Sequence, residues 1–330
     1  MKDEFAFISN ISPEKTHQSS LLKGIGDDAA VYRGSSQFDE VVCVDTMVEG
    51  IHFRKDTLTP LQIGKKGLAV NVSDLAAMGA IPLFYLVSVA VSPSWNEQEL
   101  REIYAGMEDL AKEYQMDLIG GDTVSTGDAL VLTVTVIGRV EQGCARYRHT
   151  AQVGDTVFVT GTVGGSAAGL ELLLQQGLNG DFTGEEQSLL LAHQEPMPHV
   201  VAGRLLANYS ARISLNDISD GLASEANELA EASGVQLMIE SDKIPFHPAI
   251  AQIPHQKQLE YALFGGEDFA LIGTVPSEQS DSLAKMFSEK GLFFKEIGSV
   301  LEGPVGVFLK DEHQQRKLEK QGYNHFQKRG

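Results

Sequence analysis

The feature that most constrains this chain is a set of acidic residues placed beside glycines or at the ends of apolar runs. The stretches read GDD from Gly26, VVCVDT from Val41, NVSD from Asn71, GGDT from Gly120, NDISDG from Asn216 and GGED from Gly265. A lone ionised carboxylate is costly to bury, so surface acids usually stand among polar residues, whereas these follow valine, isoleucine or glycine. Acids at strand ends and tight turns predict a fold that gathers them into one site for hard cations.

The composition indicates a folded protein whose partners are neither nucleic acids nor anionic membranes. The 330 residues suffice for two domains of ordinary size, and 42% are hydrophobic against 22% charged. The formal net charge is -19, from 45 acidic and 26 basic residues, whereas both excluded partners require clustered cations. Any anionic substrate must therefore arrive together with metal ions.

The sequence predicts neither secretion nor a membrane span. The two cysteines, Cys43 and Cys144, have no CxxC or metal-ligand spacing, which is typical of thiols in a reducing compartment. The N-terminal residues are acidic and lack the apolar core of a signal peptide. The longest apolar stretch, residues 80–91, is too short for a bilayer and contains Pro82 and Ser88. We therefore expect a cytoplasmic protein.

Hydrophobic periodicity predicts a mixed α/β chain of two domains, residues 1–145 and 146–330. In the first domain, strands are expected at 39–45, 82–91, 118–121 and 129–140, and helices at 60–79 and 96–114. In the second domain, strands are expected at 155–161, 213–217, 235–240, 269–275 and 293–300. Helices are expected between them at 166–176, 185–193, 198–209, 222–233 and 277–290. The boundary is placed where the pattern resets, near Arg146.

The helix expected at 60–79 is unusually rich in small residues, which permit close packing against neighbouring elements. Lys66, Val70 and Asp74 are spaced by four residues, so they share one face of this helix. That face therefore combines a lysine with one of the candidate acids.

The glycine-rich turn at 161–169 follows a predicted strand and opens a predicted helix. Backbone N–H groups at such a helix start could bind an anion. The turn lacks the Gly-Lys-Ser/Thr of a P-loop and the glycine spacing of a dinucleotide fingerprint. A purely structural strand-to-helix turn is the open alternative.

The acids also have ordinary interpretations when each is taken singly. Asp220 could cap the helix that follows it, and the pair 27–28 could form an Asx-turn. Capping does not explain Asp45, which ends a strand, or Asp74, which lies inside a helix. Isolated acids from several elements suit Mg²⁺, which binds one or two carboxylates plus substrate phosphates. Zinc is disfavoured because no His or Cys ligand spacing accompanies them.

Taken in order, these motifs resemble those of the thiamine-monophosphate kinase family. The resemblance rests on residues 24–30, 44–46, 50–53, 69–79, 118–123, 217–221, 264–268 and 322–326. It covers nearly the whole chain, and the ordered set is far more specific than any single motif. It implies the two-domain α/β architecture of the aminoimidazole-ribonucleotide-synthetase superfamily. In that architecture the N-terminal domain forms a dimeric β-barrel, and a C-terminal α/β domain closes the active site.

The resemblance also implies the residues of the site. It places Mg²⁺ ligands at Asp28, Asp45, Asp74, Asp122, Asp217 and Asp220. It places ATP contacts at Gly121, Asp122, Arg148 and Ser219, and substrate contacts at His52, Glu267 and Tyr323. Family members often have hydroxyl residues where this chain has Cys43 and Val44, so a metal contact from a hydroxyl is lost there. The implied partners are several Mg²⁺ ions, ATP, thiamine monophosphate and a second copy of the chain.

The implied reaction is ATP-dependent phosphorylation of thiamine monophosphate to thiamine diphosphate by direct in-line transfer, a step of thiamine diphosphate biosynthesis. The acceptor phosphate, with a second pKa of about 6, is largely ionised at neutral pH, so no general base is expected. Two alternatives stay open: a superfamily synthetase acting on a purine intermediate, and a noncatalytic acidic module that binds cations. Ordinary packing or surface roles are also open for His52, Arg148, Glu267 and Tyr323.

Overall fold

The structure, a computed structural model, describes residues 13, 15–23, 31, 32, 37–312 and 314–320. Its N-terminal part contains the strands β1 (Leu21–Lys23), β2 (Val31–Tyr32), β3 (Phe38–Val48), β4 (Ile81–Val91), β5 (Asp117–Ser125) and β6 (Val131–Glu141). The helices of this part are α1 (Pro60–Ala77) and α2 (Glu97–Tyr114). Strands β1 and β2 form an antiparallel pair of their own.

Strands β3 to β6 form the N-terminal sheet, in the order β3-β6-β4-β5. Strand β6 is antiparallel to both of its neighbours, and β5 runs parallel to β4. Within the described residues, no strand pairs with the outer edge of β3 or of β5. The described part of a single chain therefore forms an open sheet, and the barrel that we expected two copies to form stays a prediction.

The two faces of the N-terminal sheet differ in their environment. On one face, the buried residues of β4 and β6 share a core with α1 and α2. On the other face, Val42 and Val44 of β3 and Val124 of β5 are between 49% and 59% exposed. An apolar surface of this kind on a sheet with two free edges is typical of an interaction surface.

Local sequence signals explain where the first two helices begin. Thr59 and Gln62 form a capping box at the start of α1, and Pro60 occupies its first position. Asn96 and Glu99 form a capping box at the start of α2. Each box satisfies backbone N–H groups that have no partner inside the helix.

The C-terminal part contains a seven-stranded sheet and six helices among the described residues. Its strands are β7 (Asp155–Val159), β8 (Ser214–Asp217), β9 (Gln236–Glu240), β10 (Leu271–Pro276), β11 (Lys295–Leu301), β12 (Gly306–Lys310) and β13 (Gln315–Leu318). The order is β13-β12-β9-β11-β7-β10-β8, and all neighbours are antiparallel except β12 and β9. Its helices are α3 (Gly165–Gln176), α4 (Gly184–Gln194), α5 (Val200–Ala207), α6 (Leu222–Ser233), α7 (His255–Phe264) and α8 (Ser277–Glu289).

One hydrophobic core joins the two parts of the chain. Buried Leu68 of α1 and Val134 of β6 belong to the same cluster as Leu206, Leu215 and Leu271 of the C-terminal part. A second cluster fills the other face of the C-terminal sheet, beneath α6 and α7. The shared core brings the end of β8 against α1, which is what allows acids from both parts to meet.

The mixed α/β character predicted from the sequence is confirmed, with differences at particular elements. The expected strand at 118–121 extends to Ser125, so Asp122 lies inside β5, and β4 lies between β5 and β6. Helix α7 and strands β12 and β13 were not predicted. The boundary at residues 145 and 146 stays a prediction. None of the helices in the described ranges is long and apolar enough to cross a membrane.

Candidate active site

Three of the predicted acids, Asp45, Asp74 and Asp217, come together where β3, α1 and β8 meet. The Oδ1 of Asn71, on α1, accepts a hydrogen bond of 2.9 Å from the backbone N–H of Asp45. The hydroxyl of Ser73, also on α1, donates a hydrogen bond of 2.7 Å to Oδ2 of Asp217. Residues that flank Asp74 on one helix therefore hold the other two acids in place.

Burial shifts the pKa values of these three acids upward, and for two of them proximity to the other acids adds to the effect. Burial, together with the charges of Asp217 and Asp45, raises the pKa of Asp74 to about 7. Burial raises the pKa of Asp217 to about 6, although Ser73 and the charge of Arg148 act in the opposite direction. Burial also raises the pKa of Asp45. The cluster concentrates negative charge that a cation would stabilise.

Cys43, one of the departures from the family pattern, borders this cluster. Its Sγ lies 3.4 Å from the backbone carbonyl of Asn71. Burial raises the pKa of its thiol, and the neighbouring charges of Asp74 and Asp45 raise it further. The thiol therefore stays protonated and contributes no charge to the cluster.

Arg148 provides a positive charge beside the acids. Its Nε donates a hydrogen bond of 2.9 Å to Oδ1 of Asn216, and its guanidinium pairs with Glu228 at 2.7 Å. The side chain is 53% exposed, so it can also reach a ligand in solvent. Its charge lowers the pKa of both Asp74 and Asp217.

Glu225 organises the loop that carries Ser219 and Asp220, and sequence reasoning missed it. The Glu225 side chain is 3% exposed. It accepts hydrogen bonds from the Ser219 hydroxyl and the Asp220 backbone N–H, each at 3.1 Å, and from the Asn216 amide at 2.5 Å. Burial, with the charges of Asp217 and Glu228, raises its pKa to about 8.

The helix after this loop corrects the ordinary interpretation of Asp220. The N-cap of α6 is Gly221, at φ 99°, and it makes no side-chain capping bond. Asp220 is therefore not the helix cap. A Cβ on Gly221 would come within 2.8 Å of two backbone carbonyls, so this turn requires glycine.

The loop with Gly266 and Glu267 lies directly against the loop with Ser219. The backbone N–H of Glu267 donates to the carbonyl of Ser219 at 2.7 Å, and the N–H of Phe269 donates to the carbonyl of Ile218 at 2.9 Å. A Cβ on Gly266 would lie 2.4 Å from the Ser219 carbonyl, so only glycine permits this approach. The predicted substrate residue thus lies next to the predicted ATP and metal residues.

The Glu267 side chain pairs with two buried groups that the sequence did not single out for the site. Its Oε2 lies 2.8 Å from Nζ of Lys66, which is fully buried. The same oxygen lies 3.3 Å from Nδ1 of His193, which is 2% exposed. Burial would raise the pKa of Glu267, but Lys66 and His193 outweigh it and lower that pKa.

His52 lies in the turn after β3, near Glu267. Its Nδ1 accepts a hydrogen bond of 3.0 Å from the backbone N–H of Val48. The charge of His52 contributes to the lowered pKa of Glu267, which places the two groups within electrostatic reach. Both substrate candidates among the described residues therefore face the same region.

Asp268 resolves the ambiguity of the glycine-rich turn. Its carboxylate accepts backbone N–H bonds from Gly164 at 2.8 Å and Ser166 at 3.4 Å, at the start of α3. Burial raises the pKa of Asp268 to about 7 although these N–H groups lower it. The chain's own carboxylate uses the donors of this helix start, which supports the structural interpretation of the turn.

Gly121 and Asp122 are not brought to this cluster by the single chain. The sheet register aligns Asp45 with Val134, Val134 with Val87 and Val87 with Gly121. Three strand spacings of about 4.8 Å therefore separate β3 from β5, a distance of roughly 14 Å. Asp122 is exposed on the open edge, where its carboxylate accepts the N–H of the adjacent Thr123.

The face on which Asp122 lies is also defined by the register. Asp122 pairs with Ser88, Ser88 pairs with Thr133, and Thr133 pairs with Thr46. The hydroxyls of Thr46 and Thr133 are 2.9 Å apart. A polar row therefore crosses, from edge to edge, the face of the N-terminal sheet that lies opposite α1 and α2, and Asp122 ends it.

Two predicted site residues, Asp28 and Tyr323, lie outside the described residues. Among the residues that are described, no three His, Cys, Asp or Glu side chains are placed to hold a metal ion together. The chemistry of the donors nevertheless fits Mg²⁺, because Asp45, Asp74 and Asp217 are hard oxygen ligands whose charges repel one another. Mg²⁺ takes one or two carboxylates and completes its shell with water and phosphate oxygens, so a preformed cage is not required.

The fold and this site define the class to which the chain belongs. The model of the AIR synthase related protein, N-terminal domain, matches residues 26–140. The model of the AIR synthase related protein, C-terminal domain, matches residues 152–310. The predicted two-domain superfamily architecture is thereby confirmed.

Full-length relatives narrow the class to one family. The chain is 50% identical over 325 residues to thiamine-monophosphate kinase of Bacillus subtilis (strain 168), covering 98% of this chain and 99% of that protein. The crystal structure of thiamine-monophosphate kinase from Stenotrophomonas maltophilia K279a has a TM-score of 0.83 at 34% identity, covering 93% and 96% of the two chains. The structure of AaThiL complexed with AMPPCP and TMP has a TM-score of 0.76 at 31% identity, covering 89% of each chain. The chain belongs to the thiamine-monophosphate kinase family, as its motifs predicted.

Proposed function

We propose that this chain transfers the γ-phosphoryl group of ATP directly to the phosphate of thiamine monophosphate, giving thiamine diphosphate and ADP. The observation that carries the proposal is the contact between two loops. The Glu267 N–H donates to the Ser219 carbonyl at 2.7 Å, which joins the substrate residue to the loop beside Asp217. Donor and acceptor would therefore bind side by side over one acidic cluster.

The chemistry needs alignment and charge stabilisation rather than a base. The acceptor phosphate, with a second pKa of about 6, is already largely ionised at neutral pH. Two polyanions must nevertheless meet inside a protein of formal net charge -19. Asp45, Asp74 and Asp217, together with Asp28 and Asp220, would hold several Mg²⁺ ions. When bound, Mg²⁺ reduces the repulsion between the phosphates and stabilises charge on the transferring group.

The remaining candidates divide between the two substrates. Arg148, with its exposed guanidinium, would pair with nucleotide phosphates, and the loop around Ser219 would contact ATP. His52 would donate a hydrogen bond to the acceptor phosphate. Tyr323 would place its ring against the cationic thiazolium, a contact worth about 0.5–2 kcal/mol.

Glu267 would recognise the aminopyrimidine of the substrate. Its Oε2 is engaged by Lys66 and His193, and the side chain is 30% exposed. A carboxylate is an acceptor only, and the pyrimidine amino group is a donor. The pair is therefore complementary.

A homodimer would complete the site. In the part of the chain that the structure describes, no strand pairs with the outer edges of β3 and β5, and Val42, Val44 and Val124 are exposed on one face of the sheet. Pairing these edges between two copies would bury that face and close the barrel that the family resemblance implies. It would also bring Gly121 and Asp122 of the partner subunit beside Asp45 and Thr46, which a single chain leaves roughly 14 Å away.

Product analysis tests the proposed reaction. The purified protein is incubated with ATP, Mg²⁺ and thiamine monophosphate, and thiamine diphosphate and ADP are quantified by chromatography. We expect equimolar products from the wild type and their loss in Asp45→Asn. ADP without thiamine diphosphate would indicate another acceptor, and a purine-type intermediate would be tested next. Nucleotide binding without any turnover would instead favour a noncatalytic module.

A further inference from the structure

We propose that Lys66 and His193 are positioning residues for substrate selectivity, which together hold Glu267 so that one carboxylate oxygen faces the pyrimidine amino group. This inference rests on the proposed function and adds the groups that make Glu267 selective. Lys66 belongs to α1 of the N-terminal part, whereas His193 and Glu267 belong to the C-terminal part. The recognition element is therefore assembled across the junction of the two parts.

Lys66 is the anchor of this arrangement. A fully buried lysine is rare and requires a partner for its charge. The Nζ of Lys66 lies 2.8 Å from Oε2 of Glu267 and 3.4 Å from Nε2 of His193. Burial inside the shared core leaves the ammonium little freedom, so the position of Oε2 is fixed with it.

His193 lies beside the same oxygen and packs against Lys66. Burial, together with the charge of Lys66, lowers the pKa of His193 to about 3, so its ring is neutral. Because the Lys66 ammonium can only donate, Nε2 of the ring is the acceptor and Nδ1 carries the hydrogen. Nδ1 lies 3.3 Å from Oε2 of Glu267 and 3.1 Å from the Ser166 hydroxyl.

Both fixed contacts fall on Oε2, which leaves Oε1 for the ligand. Among the described residues, Lys66 donates a hydrogen bond to Oε2 of the Glu267 carboxylate, and Nδ1 of His193 lies 3.3 Å from the same oxygen. The side chain is 30% exposed, whereas Lys66 and His193 are almost completely buried. The two anchoring groups are thus buried, whereas part of the Glu267 side chain is accessible to a ligand.

The backbone of Glu267 is constrained as well. Glu267 has φ 68° and Phe269 has φ 49°, a left-handed conformation that non-glycine residues rarely adopt. Such strain persists only when the surroundings fix it, and it often accompanies ligand recognition. Here the backbone bonds of both residues to the 218–219 loop, at 2.7 and 2.9 Å, hold the turn. Side chain and backbone are thus both preorganised.

The consequence is selectivity for a donor at the position opposite Oε1. A site built to accept a hydrogen bond rejects an analogue that lacks the donor, because its own buried polar group is then left unpaired. An analogue whose pyrimidine amino group is replaced by a carbonyl oxygen would place two acceptors against each other. Wild-type protein is therefore expected to discriminate strongly between thiamine monophosphate and this analogue.

The test compares Lys66→Met with Lys65→Met as a matched control. Lys65 is the adjacent lysine of α1 and also bridges the two parts, through Glu195 at 2.7 Å, but it does not contact Glu267. In Lys66→Met we expect KM for thiamine monophosphate to rise about 10- to 100-fold, the range for a lost hydrogen bond to a charged group. We expect kcat and KM for ATP to change much less, because the lost contact is equally strong in ground and transition states. Lys65→Met should leave all three parameters unchanged.

Two further readouts separate positioning from a general structural role. In a Glu267→Gln background, Lys66→Met should cause no additional rise in KM, since it acts through Glu267. Discrimination against the carbonyl analogue should fall about tenfold or more in Lys66→Met and remain intact in Lys65→Met. If Lys66→Met does not fold, His193→Leu is tested in its place. The same changes in KM and in discrimination are then expected, but they should be smaller.

The outcomes distinguish this inference from the function on which it rests. Wild-type protein that makes no thiamine diphosphate would overturn the proposed function and this inference with it. Active wild type in which Lys66→Met keeps its KM and its discrimination would overturn the inference alone. Equal losses in Lys66→Met and Lys65→Met, or additive losses with Glu267→Gln, would also overturn it.

Discussion

The two ends of the candidate site are built in opposite ways. At one end, Asp217, Ser219 and Glu267 are each held by a buried neighbour, namely Ser73, Glu225 and Lys66. At the other end, Asp122 is exposed on an unpaired strand edge, and its recorded hydrogen bond is to the next residue. The first end is held in place within one chain, whereas the described residues provide no such support at the second end.

This difference indicates which groups of the candidate site a single chain holds in place by itself. Groups that must be placed accurately for the substrate are fixed by second contacts before any ligand binds. Among the described residues, Asp122 is bonded to its own neighbour Thr123, and we propose that a partner subunit supplies the missing support. Mutations at the two ends are therefore expected to differ in how activity and stability change.

The largest effect is expected from Asp217→Asn. Loss of this carboxylate removes charge from the cluster that would hold the metal ions, and kcat should fall on the order of 10³-fold. The free energy of unfolding should not fall, because the substitution removes a buried charge and asparagine has the same shape as aspartate. Thiamine diphosphate formation and chemical denaturation measure the two quantities. Activity within tenfold of wild type would show that this end is not the catalytic one.

The next largest effect is expected from Glu225→Ala. The loop with Ser219 and Asp220 would lose the acceptor that fixes it, and kcat/KM should fall about 10- to 100-fold, as for other groups that orient ligands. Glu231→Ala is the control, because Glu231 lies on the same helix and pairs with the exposed Lys320. Steady-state kinetics with both substrates provide the measurement. Equal activities of the two variants would mean that Glu225 does not organise the site.

A moderate effect is expected on the pH dependence of stability in metal-free protein. The folded-state pKa values of Asp74, about 7, and Asp217, about 6, exceed the ordinary value of 3.8. The folded state therefore binds protons more tightly than the unfolded state, and the free energy of unfolding should fall as pH rises from about 4 to about 7. Each fully linked proton contributes a slope of about 1.4 kcal/mol per pH unit.

Denaturation in chelator at several pH values checks this slope, with Asp74→Asn as the comparison. The variant should have a flatter profile because it lacks one of the raised carboxyl groups. Mg²⁺ should restore stability most strongly above pH 7, where the acids would otherwise be ionised and unpaired. A wild-type profile that rises between pH 5 and 7 would contradict the mutual repulsion inferred for the cluster.

The smallest effect is expected on the stability of Asp122→Asn. Because Asp122 is exposed and bonded to its own neighbour, the free energy of unfolding should change by less than about 0.5 kcal/mol. Gly121→Ala is a contrasting variant on the same strand, since its Cβ would lie 1.8 Å from the Val87 carbonyl. Urea denaturation of both variants measures the contrast. A large loss in Asp122→Asn would mean that this edge is supported within one chain.

The sequence predicts most elements of this fold and the acids that meet at its centre. Asp45 and Asp74 could be recognised as candidate site residues from the sequence. Their neighbours are apolar or small, whereas acids on the solvent-exposed surface usually stand among polar residues. Strand β13 was missed because its residues, QRKL, are mostly polar and lack an alternating pattern. The strand expected at 118–121 was too short because adjacent glycines usually end a strand, whereas Gly121 here permits close pairing with β4 and Asp122 lies inside β5.

The supporting residues could not be predicted in the same way. Lys66 and Glu267 are 201 positions apart, and Lys66 and His193 are 127 apart. No local pattern links such residues, and a buried lysine looks like any helical lysine in the sequence. Its shared face with Asp74 was the one available signal. Pairings of this kind depend on how the two parts of the chain pack, which only the structure provides.

The most direct test of the account is complementation between two inactive variants in one dimer. Asp217→Asn and Asp122→Asn are co-expressed with different tags, and mixed dimers are purified through both. If each site combines Asp217 of one chain with Asp122 of the other, one site per mixed dimer is intact, and about half of the wild-type rate should return. If mixed dimers form but stay as inactive as the parent variants, both residues act within one chain, and the partner-completed site is contradicted.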